Sequence, residues 1–329
     1  MIMKLLKNPA FMIGFLFLFI LIVTSTLYPS WIKPHLEPPP ELIYEDGNLV
    51  DQPPYPPSLK YPFGVDRLGQ DTFWNVIEGA KYTLFIAALI GLLRMVLGMG
   101  SGILYGLYHQ RFSWLVEPLT RAFRFIPTIL IAMMFFISDS GMDVILKQCI
   151  MLSLITFLPL TSVIGDELRY YLKNEFIDAS RLLGGTKWWI VKVHIKQHLK
   201  PRMIVILLQQ IAQSLVLLVQ LGAFMFVIGG YEEVNLGVPM GDAFNVATSL
   251  SHEWSGMIGL SYHELRYNKW IVLGPSLGFV LSLFSLNLML RGIQSALTVR
   301  SSIKKPKEQI QPIKLDQDGF ELVNPIKTH

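Results

Sequence analysis

The sequence predicts an all-α, polytopic membrane protein with six transmembrane helices. Hydrophobic residues make up 52% of its 329 residues and charged residues only 16%, with a mean hydropathy of +0.44. Apolar runs recur along the chain, each near the roughly 20 residues that a helix needs to cross about 30 Å of hydrocarbon. Basic residues concentrate in alternate segments between those runs, as topology signals do.

The first run, residues 11–30, follows Lys4 and Lys7 and has the look of a secretory signal. No small-x-small cleavage site follows it, and Thr24 to Pro29 leads into a proline-rich stretch, so a retained anchor is expected. Residues 31–79 contain Pro38-Pro39-Pro40, Pro53-Pro54 and Pro56-Pro57, which hold the backbone extended and deny it helical hydrogen bonds. This is the expected exterior spacer.

A five-helix core over 80–300 follows, with spans at 82–108, 115–138, 143–165, 203–229 and 269–292. In the first of these, Gly98, Gly102 and Gly106 recur every four residues and put small surfaces on one face for a close helix contact. Gly98-x-Gly100 is too weak for a nucleotide loop, because no strand precedes it. Pro127 and Pro159 fall inside spans and are expected to bend them. From 301 to 329 the apolar pattern is lost, which predicts a cytoplasmic tail, disordered or loosely docked.

Charge sets the sidedness. Segment 30–79 has three basic residues against eight acidic ones, and 230–269 has two against five. Loop 166–202 has eight basic residues, and the tail adds Arg291, Arg300, Lys304, Lys305 and Lys307. Loop 166–202 and both termini are therefore predicted cytoplasmic, in the cell membrane. The net charge of +4 and pI near 9.0 arise from these topology signals, so no nucleic acid is expected as a partner.

Catalytic patterns are weak. Cys149 is the single cysteine, which excludes disulfides within the chain and cysteine-rich metal sites. His194 and His198 stand four apart, but Lys192, Lys196 and Lys200 crowd them, so no metal is expected there and a solvated face is. Asp166 and Glu167 are adjacent, point about 100° apart on a helix and read as end-of-span charges. An intramembrane protease or lipid transferase would need facing catalytic groups, and an ion-coupled carrier would need midplane acids or inverted repeats. Neither pattern is found.

Two polar features inside spans are candidates for a solute path. Gln209, Gln213 and Gln220 share one helix face, offset by roughly 40° and 20°. They line a wet path or form a hydrogen-bonded seam between helices. Arg94 lies deep in its span, where a charge costs roughly 2.5–3.5 kcal/mol unless paired or hydrated. It faces the path or a partner, or it serves as a snorkelling or interface residue.

The cytoplasmic loop holds Asn174-Glu175-Phe176-Ile177-Asp178-Ala179-Ser180-Arg181-Leu182-Leu183-Gly184-Gly185-Thr186. Asn174 is expected to cap a short helix whose first turn carries Glu175 and Asp178, with Gly184 or Gly185 ending it and Thr186 capping the next. Phe176, Ala179 and Leu183 form an apolar stripe. The stripe covers the ends of the chain's own spans, lies at the lipid interface, or docks a partner.

Asp178-Ala179-Ser180 followed by Gly184 resembles the Glu-Ala-Ala-x-x-x-Gly loop of ABC-importer permeases. Residues 61–71, Tyr-Pro-Phe-Gly-Val-Asp-Arg-Leu-Gly-Gln-Asp, are similar to the His-Pro-Phe-Gly-Thr-Asp-x-Leu-Gly-Arg-Asp signature of the dipeptide, oligopeptide and nickel permease family. They carry Phe63, Gly64, Asp66, Leu68, Gly69 and Asp71. Trp254-Ser255-Gly256-Met257-Ile258 echoes a third segment of that family, so the resemblance runs from about residue 3 to 300. Departures are Asp178 for Glu, Ser180 for Ala, Val65 for Thr, Gln70 for Arg and Lys196-Gln197 for Leu-Pro; they bear on substrate more than on architecture.

The resemblance implies a type I ABC-importer permease fold, in the second, C-type permease subunit. It implies a transport subunit, not an enzyme, taking up oligopeptides or dipeptides, with nickel chelates or glutathione-like solutes as alternatives. Its partners would be a second homologous permease, two ATP-binding subunits and an extracellular solute-binding protein, within membrane lipid. Phe176, Asp178, Ala179, Leu183 and Gly184 would form the coupling helix seated in an ATPase cleft. The chain has no Gly-x-x-x-x-Gly-Lys-Ser/Thr loop, so no cofactor is expected on it, and ATP and Mg would sit on the partner ATPase subunits.

Overall fold

A computed structural model describes residues 7–40, 43–45, 48–136, 141–236 and 244–303. The tail beyond 303 and the side chain of His198 lie outside the described residues. The spans are α1 (Pro9–Leu27), α2 (Thr72–Leu107), the pair α3 (His109–Phe125) and α4 (Thr128–Phe135), α5 (Met142–Leu172), α8 (Lys196–Ala223) and α10 (Trp270–Ile303). Between them lie the short helices α6 (Glu175–Leu182), α7 (Lys187–Ile190) and α9 (Trp254–Leu260). Two antiparallel hairpins, β1 (Ile43–Glu45) with β2 (Asn48–Asp51) and β3 (Tyr231–Leu236) with β4 (Phe244–Ser249), stand outside the spans.

Five of these helices are long and apolar enough to cross a membrane, and the α3–α4 pair makes a sixth, bent by 97°. The span expected at 115–138 is thus bent at Pro127, as its proline implies, and sharply enough to break into two helices. Proline disfavours helical geometry in the residue before it, and Ile126 is accordingly extended (ψ 120°), so α3 stops and α4 restarts after Pro127. Pro159, by contrast, lies within continuous α5. The span expected at 82–108 begins ten residues earlier, because Asp71 caps it by accepting from the Phe73 amide at 2.9 Å. The span expected to reach 229 ends at Ala223, beyond which Met225 is left-handed (φ 62°).

The centre of the fold is the contact of α2 with α5. A Cβ added at Gly98, Gly102 or Gly106 would come within 2.7, 2.7 and 2.8 Å of Leu160, Ile164 and Leu168. The glycine face thus lets branched side chains of α5 settle onto α2, and Ser101 Oγ meets Thr161 Oγ1 there at 2.6 Å. On the outer side, α1 runs along α10, with Gly14 against the Ser285 carbonyl.

Candidate functional site

The three landmarks fall at opposite ends of α2. At its N-terminal end, loop 61–71 is a cap for α2. Gly64 is left-handed (φ 66°) and so close to Trp270 that a Cβ would lie 2.6 Å from the ring. Phe63 packs edge-on against Phe73, with ring centroids 5.5 Å apart. Asp66 Oδ1 accepts from the Leu68 and Gln70 amides at 2.9 and 2.8 Å, and its Oδ2 from Asn75 at 3.2 Å. Leu68 is half-buried and Gly69 left-handed (φ 72°) in the turn this carboxylate closes. Burial pushes the acids of Asp66, to about 6, and of Asp71 above the ordinary range, against the pull of their amide donors.

Trp254, in the third landmark, is fully buried against this cap. Its indole donates to the Val76 carbonyl at 2.7 Å, and its amide donates to Thr83 Oγ1 at 2.9 Å. Glu253 caps α9 by accepting from the Ser255 and Gly256 amides, both at 2.6 Å. The Trp-Ser-Gly-Met-Ile segment is therefore a wedge between α2, α8 and α10, where Gly222 and Gly278 leave room for it.

The landmark at the C-terminal end of α2 is built around α6. Ile177 is fully buried and plugs a cluster with Leu107 of α2, Leu168 of α5, Ile190 of α7, and Ile195 and Leu199 at the start of the α8 rod. This anchor was missed in the sequence, where the stripe at 176, 179 and 183 drew the eye. That stripe faces away. Phe176 is 46% exposed and Leu183 89%, and together with Ala179 they border a groove closed by Ser180, Gly184, Gly185, Trp189 and His194. The chain's own spans do not cover it.

Two local expectations are corrected. The Asn174 side chain donates to the Tyr171 carbonyl at 2.8 Å and gives no cap bond to α6. His194 is half-buried, edge-on to Phe176 and Trp189 at 6.1 and 5.2 Å, so it backs the groove and is no solvated residue. Gly184 takes the left-handed position (φ 87°), and Thr186 accepts from the Trp189 amide at 3.3 Å. Asp178 pairs with Arg181 at 2.9 Å on the exposed surface. Asp166 pairs with Arg169 at 3.2 Å, and Glu167 with Arg202 at 3.5 Å.

Within the spans, Gln209, Gln213 and Gln220 are all exposed along α8, whereas the adjacent Gln210 is buried. Arg94 is 3% exposed on α2, and its Nε and Nη2 have no hydrogen-bond partner among the described residues. The structure does not bring Arg94 and the glutamine face to one surface: the first is enclosed and the second open.

Fold and surface together define a multi-pass membrane protein with a short helix, α6, braced on its span ends. Residues 95–302 match the model of the binding-protein-dependent transport system inner membrane component family, and the chain belongs to that family. It is a permease subunit of an ABC importer, a multi-subunit assembly, and a multi-pass protein of the cytoplasmic membrane. A protein of Brucella suis that carries the name of a peptide transport system permease is 24% identical over 92% of this chain and 91% of its own. A di/tripeptide transport system permease protein of Pseudomonas aeruginosa is 24% identical over 87% of this chain and 86% of its own. A glutathione transport system permease protein of Pectobacterium atrosepticum is 25% identical over 73% of each.

Proposed function

We propose that this chain imports oligopeptides or dipeptides. It would pair with a second, homologous permease, with two ATP-binding subunits on its cytoplasmic face and a solute-binding protein outside. ATP and Mg bind the partner ATPases, this chain performs no catalysis, and both termini lie in the cytoplasm. The observation that carries the reading is the geometry of α6: one side is locked into the span ends by Ile177, and the other offers Phe176, Ala179 and Leu183 uncovered. A rigid element that is apolar on both sides transmits force from whatever seats on it.

In this mechanism, closure of the ATPase pair moves α6, and the cluster around Ile177 passes the movement to α2, α5 and α8. The cleft must bind α6 differently in the two states, because equal binding shifts no equilibrium. The solute path runs between the two permeases. Exposed amides at Gln209, Gln213 and Gln220 are costly against hydrocarbon, so this face belongs to a hydrated path or the second permease, where amides offer donors and acceptors to peptide bonds. Arg94 serves the same path when the spans tilt and expose its unpaired guanidinium.

The reading is tested by tagged purification from native membranes in mild detergent, with mass spectrometry of what co-elutes. Recovery of a second permease and ATP-binding proteins, with the ATP-binding proteins lost in a Phe176→Asp, Leu183→Asp double variant, is the expected result. Recovery of a lone chain, or ATPase capture indifferent to the double variant, overturns it.

A further inference from the structure

At the end of α5 away from α6, a groove runs down the outside of the helix beside the end of α4. Its walls are Phe135 of α4 and Ile150, Met151, Leu154 and Ile155 of α5, and Lys147 is the one charged residue lining it among the described residues. Phe135, Ile150 and Leu154 are 59%, 42% and 50% exposed, so the groove stands open. It follows from the break at Pro127. The 97° bend leaves α4 only eight residues long, with Ile129 and Ala132 buried in the core and Phe135 at the edge, so α4 shields a short length of α5.

Depth and charge order decide what fills it. Gly141, whose amide donates to the Gly229 carbonyl at 3.1 Å, marks this end of the spans. At 1.5 Å per residue, Lys147 lies about 9 Å inward along α5 and Ile155 about 21 Å, so the groove runs about 12 Å, within one leaflet of a core about 30 Å thick. A helix of a neighbouring subunit crosses both leaflets and needs a seam that continues, whereas an acyl chain stops near the midplane. At the mouth, the charges alternate. Lys147 comes first and Asp143 lies one turn farther out, with Nζ and Oδ2 3.4 Å apart and side chains 60% and 80% exposed. An exposed pair four residues apart is worth only about 0.3–0.5 kcal/mol, so it opens readily to further partners. From the midplane outward the surface is apolar, then cationic, then anionic. A phospholipid with a primary ammonium has the complementary order of acyl chain, phosphate and ammonium.

We propose that this groove holds an acyl chain of a phosphatidylethanolamine-type lipid, with the lipid phosphate on Lys147 and its ammonium on Asp143. The headgroup converts the lone ion pair into four charges of alternating sign, and its two-carbon link between phosphate and ammonium suits one turn of helix. A purely anionic headgroup satisfies Lys147 but sets like charge beside Asp143. A trimethylated headgroup carries the positive charge yet has no hydrogen to donate to the carboxylate. Seated there, the chain fills the notch that the bend leaves between α4 and α5. The inference takes from the proposed function only its topology, which puts the site in the outer leaflet.

The test uses the full chain in lipid nanodiscs that contain a phosphatidylethanolamine with a photoreactive acyl chain, and maps labelled peptides by mass spectrometry. Label is expected within residues 147–155. Unlabelled phosphatidylethanolamine should displace it roughly fivefold better than phosphatidylglycerol or phosphatidylcholine, the ratio that about 1 kcal/mol gives at a headgroup. Asp143→Asn should erase that preference, and Lys147→Ala should weaken displacement by all three lipids, because the phosphate is common to them. Ile150→Trp fills the groove and should remove label from 147–155 while label elsewhere on the chain stays. The three substituted side chains are exposed, and an unchanged melting temperature checks that each variant keeps its fold. Equal displacement by the three lipids, a preference that survives Asp143→Asn, or label at 147–155 indifferent to Ile150→Trp overturns the proposal. Loss of the label when a second permease co-purifies also overturns it, and assigns the face to that partner. ATPase capture is scored separately, so a captured complex with an unlabelled groove removes the lipid site and leaves the proposed function standing.

Discussion

Replacing Ile177 with Ala tests whether α6 is braced as a lever. The change removes three carbons from a fully buried side chain inside the cluster of Leu107, Leu168, Ile190, Ile195 and Leu199. At about 0.8 kcal/mol per buried methylene, plus a cavity that α2 and α5 are too closely packed to fill, the loss is about 2–4 kcal/mol. It falls mainly on the docking of α6, since the glycine contacts at 98 and 102, with Leu160 and Ile164, lie farther along α2 and outside the cluster. Each 1.4 kcal/mol is tenfold in an opening equilibrium, so amide exchange over residues 175–183 should accelerate by roughly 30- to 700-fold. Mid-span amides of α2 should hold their protection. Leu183→Ala on the same helix removes as many carbons from a side chain that is 89% exposed, and should leave exchange nearly unchanged. Mass spectrometry of exchanged peptides in nanodiscs reads both. Equal acceleration in the two variants, or none over 175–183 in Ile177→Ala, refutes the bracing.

Other expectations are more local. Gly102→Ala puts a methyl 2.7 Å from Ile164 and should cost about 1–3 kcal/mol by overpacking, whereas Gly100→Ala meets nothing within 4 Å and should leave the melting temperature unchanged or slightly raised. Trp254→Phe removes the indole's hydrogen bond to the Val76 carbonyl and bulk from a fully buried site, and should cost about 1–3 kcal/mol in thermal unfolding. Because the folded state holds the Asp66 proton up to about pH 6 against an ordinary aspartate value of 3.8, it binds more protons than the unfolded state between those values. Stability should therefore fall as pH rises from about 4 to 6, and Asp66→Asn should flatten that share of the slope in melts followed by tryptophan fluorescence.

The spans were legible because hydrocarbon imposes a length and a composition that a sequence cannot hide, and the break at Pro127 announced itself by residue type. The start of α2 was not found by hydropathy, since its first turns lie beyond the apolar run; the cap at Asp71 marked it. The outward stripe of α6 followed from spacing alone, but its anchor did not. Ile177 sits one residue from Phe176, and only the arrival of Leu107, Leu168 and Ile190 from other helices shows that it points inward. Conversely, the capping expected of Asn174 was a sound local inference that the Tyr171 carbonyl outcompeted.

The pairing of α1 with α10 has a consequence for how the protein is made. Helix α1 leaves the ribosome well before α10, yet rests against it, with Gly14 on the Ser285 carbonyl and Gly292 on Phe11. That neighbour does not exist until α10 is made, so α1 must wait in the bilayer with one flank uncovered, held meanwhile by its contact with α2. Its sequence suits that wait: it carries no charged side chain from Pro9 to Leu27, and Thr24 and Thr26 fold their hydroxyls back onto carbonyls of their own helix. Closure of α10 onto α1 is thus a late, post-insertion event, and damage to α10 would be felt at α1.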